Sequence, residues 1–134
     1  MVEVILVSHG NYAKAMLESS ELIMGKQEHI CTFGFYLGDD IDGLRTKIEE
    51  KIRELIDENE VLVLTDMRSG SPFNATASLM EKYRFYHIAG INLPSFMEIM
   101  GTRDFTTAEE LCEMVLTEGK ETMVYVNKLM EEIA

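Results

Sequence analysis

Apolar runs and amphipathic stretches alternate along this chain. Val2–Ser8 is almost wholly apolar and leads into His9-Gly10. His29–Leu37 is rich in β-branched and aromatic residues. Val61–Leu64 is four apolar residues in a row, and Phe85–Ile91 is a fourth such run. Runs of this kind suit strands of a parallel sheet covered on both faces. Between them the period changes. Asn11–Met24 carries Ala13, Met16, Leu17, Ser20 and Ile23 at helical spacing, with Gly25 as its stop. Ile41, Leu44, Ile48, Ile52, Leu55 and Ile56 form the clearest helical stripe, with charged residues on the opposite face. A third helix is predicted from a Ser71 cap to about Lys82, with Phe73, Ala77 and Met80 inward. A fourth is predicted over Ser95–Met100, followed by a loop at Gly101–Asp104. Thr107 and Glu110 form a capping box for a fifth helix running to Glu118 and closed by Gly119. The tail divides: Thr122–Val126 favours strand and Asn127–Ala134 favours helix.

This alternation predicts an α/β fold, a doubly wound and mostly parallel sheet with helices on both faces, in one domain spanning 1–134. The expected strand order is 2-1-3-4. Its switch point then falls between the first and third strands, where ligands of open α/β sheets bind. Those two strands end in His9 and Asp66.

The stretch Val61–Asn74, VLVLTDMRSGSPFN, reads as a strand, a turn and a helix start. Ser71 suits an N-cap and Pro72 the first helical position. The result is a helix N-terminus with free N–H groups beside a strand-end carboxylate, an arrangement that binds anions and phosphate above all. Ser69, Gly70 and Ser71 form the expected cradle. Asp66 either caps its own turn or accepts a hydrogen bond from His9 Nδ1–H, which would leave Nε2 as the nucleophile. Ser71 is either a cap alone or also a phosphoryl ligand. Arg68 is either a solvated loop charge or a partner for phosphate or an acidic group. Met67, Arg68, Pro72 and Phe73 make up the lip that a partner would touch. His29 lies at the wrong end of the sheet and His87 inside a strand, so both are expected to be structural.

Composition narrows the field. The 134 residues include 24 acidic and 12 basic side chains, for a net charge of −12. That balance argues against nucleic acid or an anionic membrane as partner and suits a basic protein. No apolar run reaches the roughly 18 residues of a membrane span. No signal peptide is expected. Cys31 and Cys112 fit two buried free thiols in a cytoplasmic protein. No ligand spacing for a metal, no P-loop and no dinucleotide fingerprint occurs, so no metal or cofactor is expected.

VSHG near the N-terminus, then TDMRSGSPFNA, then AGINLP, in that order and over nearly the whole chain, resemble the IIA component of the mannose family of sugar phosphotransferase systems. The resemblance implies that His9 takes a phosphoryl group on Nε2 from the phosphocarrier protein HPr. It would then pass the group to a IIB component, and indirectly to the membrane IIC and IID components. Asp66 would hydrogen-bond the histidine and Ser71 would lie near the phosphoryl group. The resemblance further implies a homodimer in which the C-terminal segment, Thr122–Val126, is an antiparallel edge strand exchanged between subunits. One departure is visible: Arg68-Ser69 stands where family members carry Trp-Gly. Three rival classes fit less well. A histidine phosphatase would need an arginine where Ser8 stands. A receiver domain would need an acidic pair there. A histidine-phosphorylated regulatory module without a transport role is expected within a larger activator.

Overall fold

The computed structural model describes residues 1–134. Its order is β1 (Val2–His9), α1 (Tyr12–Met24), β2 (Ile30–Phe35), α2 (Ile41–Leu55), β3 (Glu60–Thr65), α3 (Ser71–Leu79), β4 (Tyr86–Ala89), α4 (Leu93–Thr102), a 3-10 turn (Arg103–Phe105), α5 (Ala108–Gly119) and α6 (Val126–Ile133). The four strands form one all-parallel sheet in the order β2-β1-β3-β4. This is the expected doubly wound order, and β1 and β3 lie side by side at its centre.

The alternation of side chains along each strand builds two cores. Val2, Val4 and Leu6 of β1 and Leu62 and Leu64 of β3 face α1, α4 and α5, with Phe96, Ile99 and Leu111 packed against them. Ile5 and Val7, with Val61 and Val63, face α2 and α3 and meet Leu44, Ile48, Ile52, Ala75 and Leu79. Both faces of the central strands are therefore covered, which is why they read as continuous apolar runs. α1 starts from Ser8, a buried hydroxyl that accepts the Ala13 N–H at 2.8 Å. Gly25 ends it. In α2, Asp40 accepts the Gly43 N–H at 2.7 Å.

Several expectations need correction. In α1, Ile23 is exposed rather than inward. In α3 the inward residues are Pro72, Ala75, Thr76 and Leu79, while Met80 is exposed and lies beyond the helix. The bulkier set, Phe73, Ala77 and Met80, is one residue out of phase, about 100° around the helix. Small residues face the sheet because they let the helix approach it closely. α4 runs from Leu93 to Thr102, longer than expected, because Asn92 caps it by accepting the Ser95 N–H at 3.1 Å. Thr107 caps α5 as expected, but Glu110 turns to the Thr106 hydroxyl rather than back to Thr107. The expected fifth, antiparallel strand at Thr122–Val126 is not part of this sheet: Thr122–Tyr125 has no regular structure and α6 begins at Val126. A strand needs a ladder partner, and within one chain this segment finds none. The helical half of the tail is present, with Val126, Leu129, Met130 and Ile133 exposed on it.

The amino-terminal ends of β1 and β2 are held by Arg103, which lies where only a loop was expected. Its side chain is buried and donates to the carbonyl of Val2 at 3.2 Å, to that of His29 at 2.7 Å and to that of Glu28. Beside it His29, with φ +55°, bonds through Nδ1 to Glu3 Oε1 at 2.8 Å. His87 on β4 bonds through Nε2 to the buried Thr65 hydroxyl at 2.9 Å and packs against Phe73. Both histidines are structural, as expected.

Arg103→Ala should cost about 2–4 kcal/mol, because three carbonyls lose one buried donor. Urea unfolding measures this, and a loss below about 0.5 kcal/mol would show that water replaces the guanidinium without penalty. His87 gives a pH dependence. Burial lowers its pKa from 6.5 to about 4. The unfolded chain therefore takes up the proton first, so stability is full above pH 6.5 and falls as pH drops from 6.5 towards 4, by something on the order of 2 kcal/mol. The same slope in His87→Gln would remove this histidine as its source.

Candidate functional site

His9 is the last residue of β1, and Asp66 follows the last residue of β3. The parallel register, with Val7 opposite Thr65, brings these two strand ends level. Asp66 Oδ2 accepts the backbone N–H of His9 at 2.9 Å and bonds to His9 Nδ1 at 2.8 Å. Asp66 is therefore a ligand of the imidazole as well as a residue of the turn. The imidazole is 45% exposed while the carboxylate is only 12% exposed, so solvent reaches the ring and not its anchor. The other carboxylate oxygen, Oδ1, is buried without a hydrogen-bond partner. A desolvated carboxylate oxygen raises the value of any positive charge on the ring it faces. With Nδ1 committed to donate, Nε2 is the unprotonated ring nitrogen.

The β3–α3 turn wraps over that nitrogen. Gly70 has φ +91°, and a Cβ at this position would lie 2.9 Å from both Nε2 and Cε1 of His9. Only glycine fits, for both backbone and steric reasons. Gly70, rather than Ser71, is the N-cap of α3. Ser71 is the first helical residue, Pro72 the second, and no side chain caps the helix. The sequence placed the cap one residue late because serine is a common cap and the close approach of the ring was not visible. The amides of Gly70, Ser71 and Phe73 donate to no protein acceptor, while Asn74 N–H bonds to the Gly70 carbonyl at 2.9 Å. These open donors belong to the turn that passes the His9 ring, and a helix start of this kind binds anions.

Of the lip residues, Met67, Arg68 and Ser69 are exposed, Pro72 is buried and Phe73 is half-buried, with its ring 5.3 Å from that of His87. Phe73 therefore supports the turn from beneath. Sequence reasoning missed three neighbours. Phe35, at the end of β2, meets the His9 ring edge to face at 6.5 Å. Tyr36 donates its hydroxyl to Asn11 Oδ1 at 2.6 Å. Tyr12 donates its hydroxyl to the Ile91 carbonyl at 3.0 Å, joining α1 to the β4–α4 loop. Burial, and then the Asp66 carboxylate, push the Tyr12 phenol above its usual pKa. All three sit at carboxyl ends of strands or just beyond them, which was the available signal. Burial pushes both Cys31 and Cys112 up to about 11, so neither offers a thiolate. No three His, Cys, Asp or Glu side chains come together as a metal site, and no helix is long and apolar enough to cross a membrane.

The arrangement is an oriented, solvent-facing imidazole beside a helix N-terminus. Comparison with known proteins identifies the family. Residues 3–116 match the EIIA-man family, described as PTS system fructose IIA component. The chain is 29% identical over 134 residues to the fructose-specific EIIA component of the phosphotransferase system of Bacillus subtilis (strain 168), covering 99% of this chain and 92% of that one. It is 30% identical over 122 residues to the mannose-specific EIIAB component of Escherichia coli (strain K12), covering 90% of this chain but only 38% of that longer protein. The crystal structure of phosphotransferase system component EIIA from Streptococcus agalactiae superposes with a TM-score of 0.86 at 33% identity, covering 96% of this chain and 99% of that one. The strand-end histidine, its carboxylate and the glycine-capped helix thus stand in a chain that belongs to the mannose family of phosphotransferase-system EIIA components.

Proposed function

We propose that His9 Nε2 is the atom that carries the phosphoryl group, taken from the phosphohistidine of HPr and given to a IIB component. An EIIA component is a phosphoryl carrier of the sugar phosphotransferase system. The observation that carries the finer reading is the 2.8 Å bond between His9 Nδ1 and Asp66 Oδ2. It fixes the tautomer, so that the Nε2 lone pair points at the α3 N-terminus. In the forward step Nε2 attacks phosphorus, the N–P bond of the donor breaks, and the donor's imidazole leaves neutral. The proton on Nδ1 stays where it is, and Asp66 stabilises the cationic phosphorylated ring. The free amides at the start of α3 receive the phosphoryl oxygens, and catalysis is otherwise in-line positioning. Transfer to the IIB component reverses the step. Asp66, Ser69, Gly70 and Ser71 thus serve the group, and exposed Met67 meets the partners.

The remaining reading rests on the resemblance. Residues 1–134 act as one cytoplasmic EIIA domain and form a homodimer through the C-terminal segment, and the membrane components IIC and IID are reached only through IIB. The exposed apolar side chains of Met123, Val124, Tyr125 and α6 support burial of this tail against another surface. A signalling module without a transport role is not favoured, because the matched relatives are sugar-specific transport components.

A mixture of this protein with enzyme I, HPr and phosphoenolpyruvate should add one acid-labile, base-stable phosphate, lost in His9→Ala. No gain by folded protein would sink the carrier assignment to His9. Asp66→Asn should slow transfer about a hundredfold without unfolding the protein, since the amide can still bond the ring but cannot neutralise it. Gly70→Ala should slow it at least as much, because the added Cβ meets Nε2 itself. Normal rates in either variant, measured by stopped-flow transfer from phospho-HPr, would exclude that residue's role.

A further inference from the structure

Charge around the site is uneven. The loops at the carboxyl ends of the four strands are Gly10–Asn11, Tyr36–Asp40, Asp66–Gly70 and Gly90–Asn92. They hold three carboxylates, Asp39, Asp40 and Asp66, and a single cation, Arg68. Elsewhere on the chain Arg45, Lys51 and Lys82 pair with carboxylates and Arg103 is buried. Arg68 is exposed and makes no ion pair or hydrogen bond to the protein. It sits two residues before Gly70, where a Cβ would lie 2.9 Å from Nε2 of the His9 ring. The β3–α3 turn therefore carries an exposed guanidinium without a protein partner, two residues from the glycine that faces the His9 ring.

The phosphoryl group needs such a charge here. A phosphohistidine brings about two negative charges into a site that already holds the buried Asp66 carboxylate. The helix start that receives them is short of one donor, because Pro72, at its second position, has no N–H. The amides of Gly70, Ser71 and Phe73 remain. A guanidinium reaches two oxygens of one phosphoryl group with paired N–H bonds, and its planar fork suits that purpose better than an ammonium does.

We propose that Arg68 is a catalytic residue of this chain, closing from the β3–α3 turn onto the phosphoryl oxygens at His9 Nε2 during transfer and while the group is held. This rests on the assignment of the phosphoryl group to His9. The bonds made and broken are those of the transfer itself; Arg68 donates hydrogen bonds, remains protonated throughout and gives up no proton. The competing role, in which Arg68 only pairs with an acidic group of a protein partner, predicts a different pattern.

The test uses phosphoramidate, a small phosphoryl donor with no docking surface, alongside phospho-HPr. Wild type, Arg68→Ala and Arg68→Lys are compared in the full chain, with folding checked by circular dichroism. If Arg68 touches the phosphoryl group, Arg68→Ala slows phosphorylation by both donors by about tenfold or more, and lysine restores part of the rate. Phosphorus NMR of the loaded protein gives a readout that partner docking cannot move. Loss of the guanidinium raises the pKa of the phosphoryl group on His9, because a nearby cation favours its dianion. A slower rate from phospho-HPr alone, with phosphoramidate kinetics and the phosphorus titration unchanged, would make Arg68 a docking residue and overturn the proposal. So would no change in any of the three. Failure of wild type to load on His9 from either donor would instead count against the carrier assignment beneath it.

Discussion

One carboxylate oxygen, Oδ2 of Asp66, accepts two hydrogen bonds from a single residue: from the backbone N–H and from the ring Nδ1–H of His9. The first bond continues the β1–β3 contact past the last rung of the sheet. The second sets the tautomer of the imidazole. Because one atom serves both, the direction of the imidazole is tied to the register of the two central strands. Those strands are the best-packed part of the molecule, with Ile5, Leu62, Val63 and Leu64 fully buried between two helical layers. The orientation of the ring thus inherits the rigidity of the core, and little is left to the loops except to surround it.

The surroundings follow from that constraint. With the ring fixed, the β3–α3 turn must pass within van der Waals contact of Nε2, and only a residue without a Cβ at positive φ can occupy the point of contact. Gly70 does so, and in capping α3 it leaves the following amides open towards the same nitrogen. The oriented ring and the open helix start are therefore consequences of one approach between a strand end and a helix N-terminus.

Much of this was legible in the sequence, and the reasons are physical. The strand order and the pairing of His9 with Asp66 followed from alternation of elements and from the switch-point rule, because both depend on periodicities that the chain displays plainly. What stayed hidden depends on closeness in space. The cap was placed on Ser71 rather than Gly70 because propensity favours serine and the ring contact is long-range. The inward face of α3 was assigned to bulky residues, whereas Ala75 and Thr76 lie against the sheet. Arg103 was read as part of a polar loop, since nothing local marks a guanidinium that will bridge Val2 to Glu28 and His29. The tail was the most ambiguous stretch, and α6 is also the helix that buries no residue against the rest of the chain.

The hydroxyl bond from Tyr12 to the Ile91 carbonyl joins elements that are 79 positions apart. It works as a strap across one wall of the crevice, between the first turn of α1 and the loop that opens α4. In the β3–α3 turn Met67, Arg68 and Ser69 are exposed and make no such bond. The crevice is thus built with a stiff wall and a soft lip. A molecule that must receive from one protein and deliver to another cannot hold a shape complementary to both. In this chain the adjustment falls to a three-residue lip, while the wall and the ring keep their places.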